Sequence, residues 1–499
     1  MKHYPKMNIN NIAYLVGLFA LFTSCTTPKQ EENQSPNIIV ILADDLGYGD
    51  LSFYNKASKI STPHIDRLAK GGVHFTDAHA AGEWCTPSRY GLITGTYPAR
   101  IELNWRERSL IGDDQETLAT MLKSNGYQTA CVGKWHLGFD DLNWENPGEM
   151  ETLSGGPIEH GFDYFFGMHA SLDIPPYFYL ENDRIVEKAT GFVDDHASPD
   201  ATTVISGAFY RAGASAPGFK HDDVLNVFFD KAKAFISGHL SATPDKPFFL
   251  YLPLTAPHTP WLPKASYQGK SGAGEYGDFV MQVDDLVGQV TDLLDQKGIT
   301  ENTLIVFSSD NGPVWFEADI DKFGHDSKAG LKGMKIDQWE GGSRIPLIFN
   351  WKNRIPSGRS SDQLIGFTDM MATLAAVAGD DKLGSGFDSK DFTPVLYGQA
   401  TENIRDGLVI GNSIYRKGGV KLIVGSGLGS LSRRYDPDGV YLPEADNQGE
   451  IYNLKDDPFE TNNLFNSESN LYREMKAEFE EIIARNKKSE EDHDLPAVK

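Results

Sequence analysis

Asn37-Ile38-Ile39-Val40-Ile41-Leu42 (NIIVIL) is an apolar, β-branched run that gives way to Asp44-Asp45 one residue later. A strand buried on both faces reads as a continuous hydrophobic stretch, and polar residues appear where it leaves the sheet. The stretch therefore predicts a parallel strand with two carboxylates at its carboxyl end. The pattern recurs at residues 303–307 (TLIVF), which lead into Asp310-Asn311-Gly312, and at 248–252 (FFLYL), which lead to Pro257-His258. Helical segments at 117–124, 224–237, 276–296 and 368–378 alternate with these strands. Such alternation predicts an α/β fold with a mostly parallel sheet, whose ligands bind beyond the carboxyl ends of the strands. All three polar clusters are expected on one rim.

With 499 residues the chain exceeds one ordinary core, so two domains, or one large domain with an appendage, are expected. The main domain is read over residues 37–379. Beyond it, short strand-like pieces at 407–410 and 420–424 and a charged helix near 468–488 predict a smaller C-terminal α+β subdomain over 380–499. At the other end, Lys2 and Lys6 precede an apolar run at 12–22 and then Thr23-Ser24-Cys25. The run is too short to span a bilayer and fits an export signal over residues 1–25. Small residues ahead of a cysteine resemble the bacterial lipoprotein signal, which makes Cys25 the expected lipid attachment point and residues 26–36 a flexible tether. The chain is thus expected in the periplasm or at the cell surface, touching a membrane only through that lipid.

A formal charge of −24, from 46 basic and 70 acidic side chains, argues against nucleic acid as a partner, because such binding rests on phosphate neutralisation. An anionic substrate would need a local basic pocket inside an acidic shell. The cysteines are Cys25, Cys85 and Cys131; the last, in an apolar stretch before Gly133, reads as a small core residue.

Asp44, Asp45, Asp310 and Asn311 offer only oxygen donors, a set that favours Ca2+ or Mg2+ over zinc. Cys85-Thr86-Pro87-Ser88-Arg89 is followed by Leu92-Ile93-Thr94-Gly95. Further along stand Gly133-Lys134-Trp135-His136-Leu137-Gly138, Gly161-Phe162-Asp163, Ala256-Pro257-His258, Trp339-Glu340-Gly341-Gly342 and Ile451-Tyr452-Asn453-Leu454. In this order, and over most of the chain, the motifs resemble those of type I sulfatases in the alkaline-phosphatase superfamily.

The resemblance implies a large mixed, mostly parallel sheet flanked by helices, and hydrolysis of sulfate esters. It implies that a formylglycine-generating enzyme oxidises Cys85, leaving no disulfide framework. It further implies one calcium ion held by Asp44, Asp45, Asp310, Asn311 and an oxygen of the modified residue 85. Arg89, one helical turn beyond Cys85, would face the same way, and the resemblance implies that it is catalytic through contact with the nucleophile's hydroxyl. Lys134 and Lys335 would contact the sulfate; Lys335 has the family's five-residue spacing to Glu340, whereas Lys332 is expected only to pack against the loop. His136 is implied as the base and His258 as the acid for the departing oxygen, and imidazole suits both tasks. The unusual nucleophile has a chemical reason. A sulfate ester on Ser or Cys would be stable, but a geminal diol keeps a second hydroxyl whose deprotonation expels sulfate.

His325, which lies with Asp326, Asp337 and Arg344 around Lys335, is a candidate sugar contact. Trp84, Trp315 and Phe316 read either as a sugar platform or as core. The export signal, and residues 269–284, which resemble bacterial carbohydrate sulfatases, point to sulfated oligosaccharides such as ulvan, galactan or glycosaminoglycan fragments. Two other readings stand beside this one. A phosphatase or phosphodiesterase of the same superfamily is disfavoured because Asn311 follows Asp310 where two-zinc enzymes tend to have Asp-His. A non-catalytic sulfated-glycan binder is disfavoured because every catalytic position is filled.

Overall fold

Strand β1 (Asn37–Asp44) is buried along its whole length, as its uninterrupted apolar run requires. The computed structural model describes residues 1–3, 35–380, 387–435 and 448–493, with side chains as far as Arg485. The expectations for the leader, for Cys25 and for most of the tether lie outside the described residues. After β1 come α1 (Pro63–Gly71), α2 (Cys85–Thr94), α3 (Leu118–Ser124), β2 (Gln128–Lys134) and β3 (Tyr164–Met168). Then follow α4 (Val224–Ala242), β4 (Phe248–Pro257), α5 (Gly274–Lys297), β5 (Thr303–Ser309), β6 (Leu347–Trp351) and α6 (Met370–Ala378).

The centre of the main sheet runs β6-β5-β1-β4-β2-β3. Strands β5, β1, β4, β2 and β3 are parallel, and β6 is antiparallel to β5. Ile38 lies level with Phe249 and Leu304 at one end, and at the other Ala43 pairs with Ser309 and Asp44 with Pro257. This register brings the residues that follow β1, β4 and β5 out at one height. Each fully buried Ile, Leu or Val contributes about 1.5–3 kcal/mol, and a one-residue slip would turn the whole set to the wrong face. The apolar run therefore fixes where the carboxylates emerge.

Among the described residues the C-terminal region forms a four-stranded antiparallel sheet of β7 (Gly407–Ile410), β8 (Ile414–Lys417), β9 (Val420–Ile423) and β10 (Glu450–Asn453). A short helix α7 (Ser430–Tyr435) lies between β9 and β10, and α8 (Ser469–His493) follows. Tyr472, Met475 and Phe479 form one face of α8 and share a core with Leu408, Ile414 and Leu422. Strands β2, β3 and β6 were not predicted. Gln128–Lys134 mixes polar residues into its run, and Tyr164–Met168 is short, aromatic and broken by Gly167.

Helix α5 buries Tyr276, Val280, Val283, Val287 and Leu294 at helical spacing. Its Asp284 reaches out of that face to α1. Thr62 leaves the first turn of α1 uncapped, and Asp284 Oδ1 accepts from His64 N at 3.0 Å and Ile65 N at 2.8 Å instead. Burial pushes the Asp284 carboxyl up to about 6 even against these two amides. A raised acid holds a proton that the unfolded chain, with its value near about 4, has already released. Its contribution to stability is thus present below pH about 4 and lost as pH rises through about 6. Asp284→Asn lacks that loss, so its melting temperature relative to the parent should climb between pH about 4 and about 7. A constant offset across that range would contradict the assignment.

Candidate active site

Successive strand residues point to opposite faces, so Asp44 and Asp45 could not both serve one site on a regular strand. Asp45 has φ 62°, a left-handed conformation that Asp tolerates, and this breaks the alternation. Its N–H donates to Asp310 Oδ1 at 3.1 Å, which ties the end of β1 to the end of β5. Asp44 then meets the Lys134 ammonium at 2.7 and 2.9 Å, and Asp45 meets that of Lys335 at 2.7 Å. Arg89 donates to Asp310 Oδ2 through Nε (3.1 Å) and Nη2 (2.8 Å), and through Nη1 to Lys134 O at 2.8 Å.

Cys85 opens helix α2, all ten of whose residues are buried, and its Sγ lies 3.6 Å from Asp44 Oδ1. The helix N-terminus adds a partial positive charge at this point. One ligand-capable atom each from Asp44, Asp45, Cys85 and His258 lie within 4.8 Å of one another. Burial alone would raise the Asp44 carboxyl, but Lys134, His258, Arg89 and Lys335 outweigh it and hold the group well below the usual range. Burial would likewise lower Lys335, yet Asp45 and its neighbours keep it charged. Burial pushes the Cys85 thiol up to about 12, so the unmodified side chain is neutral.

Asn311 Nδ2 donates to Asp45 Oδ1 (2.7 Å) and Gly312 O (2.8 Å), which leaves its buried Oδ1 without a hydrogen-bond partner. An orphaned amide oxygen beside three carboxylates is a donor set that fits a hard divalent cation.

His258 follows β4. Its Nδ1 lies 2.5 Å from Thr259 O, and its Nε2 is 3.6 Å from Asp45 Oδ2. His136 has φ 59° beyond β2, with its ring edge-on to Trp105. Both its ring nitrogens are buried without a hydrogen-bond partner. Burial, then Lys134 and Arg89, drive its imidazole well below the usual range, so it is neutral at neutral pH.

A pocket of about 160 Å3 opens onto Asp45, His258 and Lys335. Its walls include Phe209, Trp261, Ile336 and Leu431, with Asp173 and Arg211 supplying polar groups. Arg211 pairs with Asp173 Oδ2, while Asp173 Oδ1 lies 3.9 Å from His258 Nδ1 and accepts no hydrogen bond. Sequence reasoning missed both residues. Asp173 lies in the loop five residues past β3, and strand β3 was itself unread. Arg211 sits in an irregular loop with no periodic signal.

His325 is placed elsewhere than expected. It is buried, its Nε2 meets Asp50 Oδ1 at 2.8 Å and its Nδ1 lies 3.4 Å from Lys59 N, so neither ring nitrogen is left for a sugar. It acts beneath the site: Asp50 accepts from Tyr276 Oη at 2.5 Å, and that hydroxyl lies 3.2 Å from Asp45 O. Trp315 and Phe316 are buried and Trp315 packs on Tyr276 and Phe323, which makes them core. Trp84 is half-buried against the core. Lys332 packs over the Trp339 ring at 4.1 Å.

A second titratable group, Asp77, His79 and Glu340, has metal-like spacing. Arg344 and Arg416 occupy its carboxylates, with Arg416 at 3.1 Å and Arg344 at 3.0 Å from Asp77, so it is an ion-pair network. The larger cavity beside it, about 630 Å3, is lined by none of the residues around Cys85.

A sulfatase family profile matches residues 36–380. The chain is 32% identical to an N-acetylgalactosamine-6-O-sulfatase of Bacteroides thetaiotaomicron, over 96% of this chain and 100% of that protein. It is 33% identical to arylsulfatase A of Bos taurus, over 73% of this chain and 68% of that one. Among solved structures, a sulfatase from work on glycosaminoglycan metabolism by Bacteroides thetaiotaomicron matches with TM-score 0.76 and 31% identity, covering 91% of this chain and all of that one. The PsFucS1 sulfatase of Pseudoalteromonas sp. matches with TM-score 0.68 and 25% identity, covering 93% and 92%.

The burial of Cys85 has a direct chemical readout. In native protein that still carries a thiol at position 85, iodoacetamide at pH about 8 should leave Cys85 unlabelled while the denatured chain reacts fully, as read by mass spectrometry. Rapid labelling of the native chain would show the thiol to be accessible or ionised.

Proposed function

The chain belongs to the sulfatase family, and on that premise we propose that it removes sulfate from sulfated carbohydrates through a formylglycine made from Cys85. It is a sulfuric ester hydrolase of alkaline-phosphatase-like fold. The observation that carries the finer reading is the convergence of Cys85, Asp44, Asp45 and His258 within 4.8 Å at the head of a buried helix. A calcium ion held by Asp44, Asp45, Asp310, Asn311 and residue 85 would add positive charge against a sulfate oxygen and the nucleophile, in a site whose carboxylates and cations otherwise balance.

The chain's own groups divide the remaining work. Lys134 and Lys335 present ammonium groups from β2 and from the loop before Glu340, preorganised for the sulfate oxygens. Arg89 fixes Asp310 and the Lys134 carbonyl, so the two strand ends cannot drift apart. The Thr259 carbonyl only accepts, so His258 Nδ1 carries a proton and Nε2 is the atom turned to the site. Nε2, 3.6 Å from Asp45 Oδ2, is the atom positioned to pass a proton to the departing sugar oxygen. Neutral His136 is in the form that takes a proton from a hydroxyl of the hydrated residue 85.

The pocket supports a sugar substrate: apolar walls suit a ring face, while Asp173 and Arg211 suit its hydroxyl edge. The bacterial relative named for N-acetylgalactosamine 6-O-sulfate puts that linkage first in a substrate panel. Maturation calls for a formylglycine-generating enzyme as partner. Export with acylation at Cys25 is supported by the apolar run ahead of Thr23-Ser24-Cys25, and loss of lipid labelling in Cys25→Ala would test it.

Cys85→Ala should abolish sulfate release from sulfated oligosaccharides while the fold persists by circular dichroism; turnover at the parental rate would defeat the mechanism. Asp45→Ala should lower calcium content by metal analysis; full occupancy would remove Asp45 from the ligand set. His258→Ala should slow sugar sulfates more than activated aryl sulfates, by about 10-fold or more, because only the poorer leaving group needs the proton. Equal losses on both would leave His258 a binding group.

A further inference from the structure

Lys335 reaches Asp45 from a strained turn. Ile336, a β-branched residue, has φ 74°, a region its side chain disfavours. Strain of this kind persists only where the surroundings over-determine it. Here Lys335 N donates to Pro313 O (2.9 Å), Ile336 N to Glu83 O (2.7 Å) and Asp337 N to Met334 O (2.9 Å).

Asp337, two residues beyond Lys335, is wholly buried. Its Oδ1 accepts from Gly429 N at 2.7 Å, and its Oδ2 from Met334 N at 3.0 Å and Ser432 Oγ at 2.7 Å. These donors are all neutral, and burial pushes the carboxyl up to about 6. Glu340, one turn further on, is by contrast matched by Arg344 and Lys421. A buried carboxylate with no ion pair among the described residues is a poor way to gain stability. It is, however, a side chain that offers acceptor positions to three converging donors.

Two of those donors come from residues 427–432, which approach the turn as closely as backbone can. A Cβ on Gly429 would lie 2.4 Å from Ile336 O, and one on Gly427 2.3 Å from Trp339 Nε1. Gln338 N donates to Gly427 O at 2.8 Å. The same segment carries Leu431, which lines the pocket beside Lys335 and Ile336.

We propose that Asp337 is the positioning residue through which segment 427–432 holds Lys335 on Asp45 and Leu431 against the pocket, which makes that C-terminal segment part of the substrate site. The proposal rests on the reading of Lys335 as a sulfate-binding group.

Asp337→Asn keeps the shape but turns one acceptor into a donor. In matured enzyme it should lower kcat/KM on a sulfated sugar about 10- to 100-fold, the scale of a displaced positioning group. In a Lys335→Ala background it should cost less than about threefold, because the ammonium is gone and only the placement of Leu431 is left to lose. Asp284→Ala, which strips the cap from α1, should lower the melting temperature and leave kcat/KM unchanged. Equal fold-losses for Asp337→Asn in both backgrounds, or no loss in either, would overturn the proposal and leave the reading of Lys335 standing. Full turnover in Lys335→Ala would refute that reading and the proposal with it. If Asp337→Asn does not fold, Gly429→Ala and Ser432→Ala disturb the same turn and enter the same cycle with the same expectations.

Discussion

Three carboxylates and three cationic side chains are buried together at one edge of one sheet, and none of them is tolerable there alone. Two unit charges 4 Å apart attract by about 4 kcal/mol at an effective dielectric near 20, while removing one partner of a buried pair costs about 3–5 kcal/mol. Asp44 with Lys134, Asp45 with Lys335 and Asp310 with Arg89 are therefore stable only as a set. The set comes from four separate stretches of chain and one helix start, so its geometry is a property of the strand register.

Beneath this layer a second one keeps it in place. His325, Asp50 and Tyr276 form a hydrogen-bonded prop under the Asp45 carbonyl, linking α5 to the end of β1. On the far side Lys421 of β9 bridges Glu340 and Glu460, at 3.0 and 2.8 Å, and ties the loop that carries Lys335 to the small sheet. The C-terminal region is thus joined to the loop that carries Lys335 and, through Leu431, to the pocket.

The sequence was most legible where burial is two-sided. Residues 37–42, 248–252 and 303–307 could only be central strands, and the acids and histidine just past them had to share a rim. Arg89 was legible too, because a helix repeats within four residues. Legibility failed where the pattern is short or mixed: Tyr164–Met168 gave no clear period, and with it went Asp173, in the loop five residues past that strand. His325 was misplaced for a different reason. Nearness to Lys335 along the chain says nothing of side-chain direction, and the ring turns inward to Asp50.

The clasp of residues 427–432 on the Lys335 turn also bears on biosynthesis. A ribosome adds about 5–20 residues per second, so that segment emerges about 340 residues, on the order of 20–70 s, after Cys85. Until then the loop from Lys335 to Glu340 lacks the partners that Lys421, Gly429 and Ser432 supply. A nascent chain thus carries Cys85 through that interval with the Lys335 turn still unclasped.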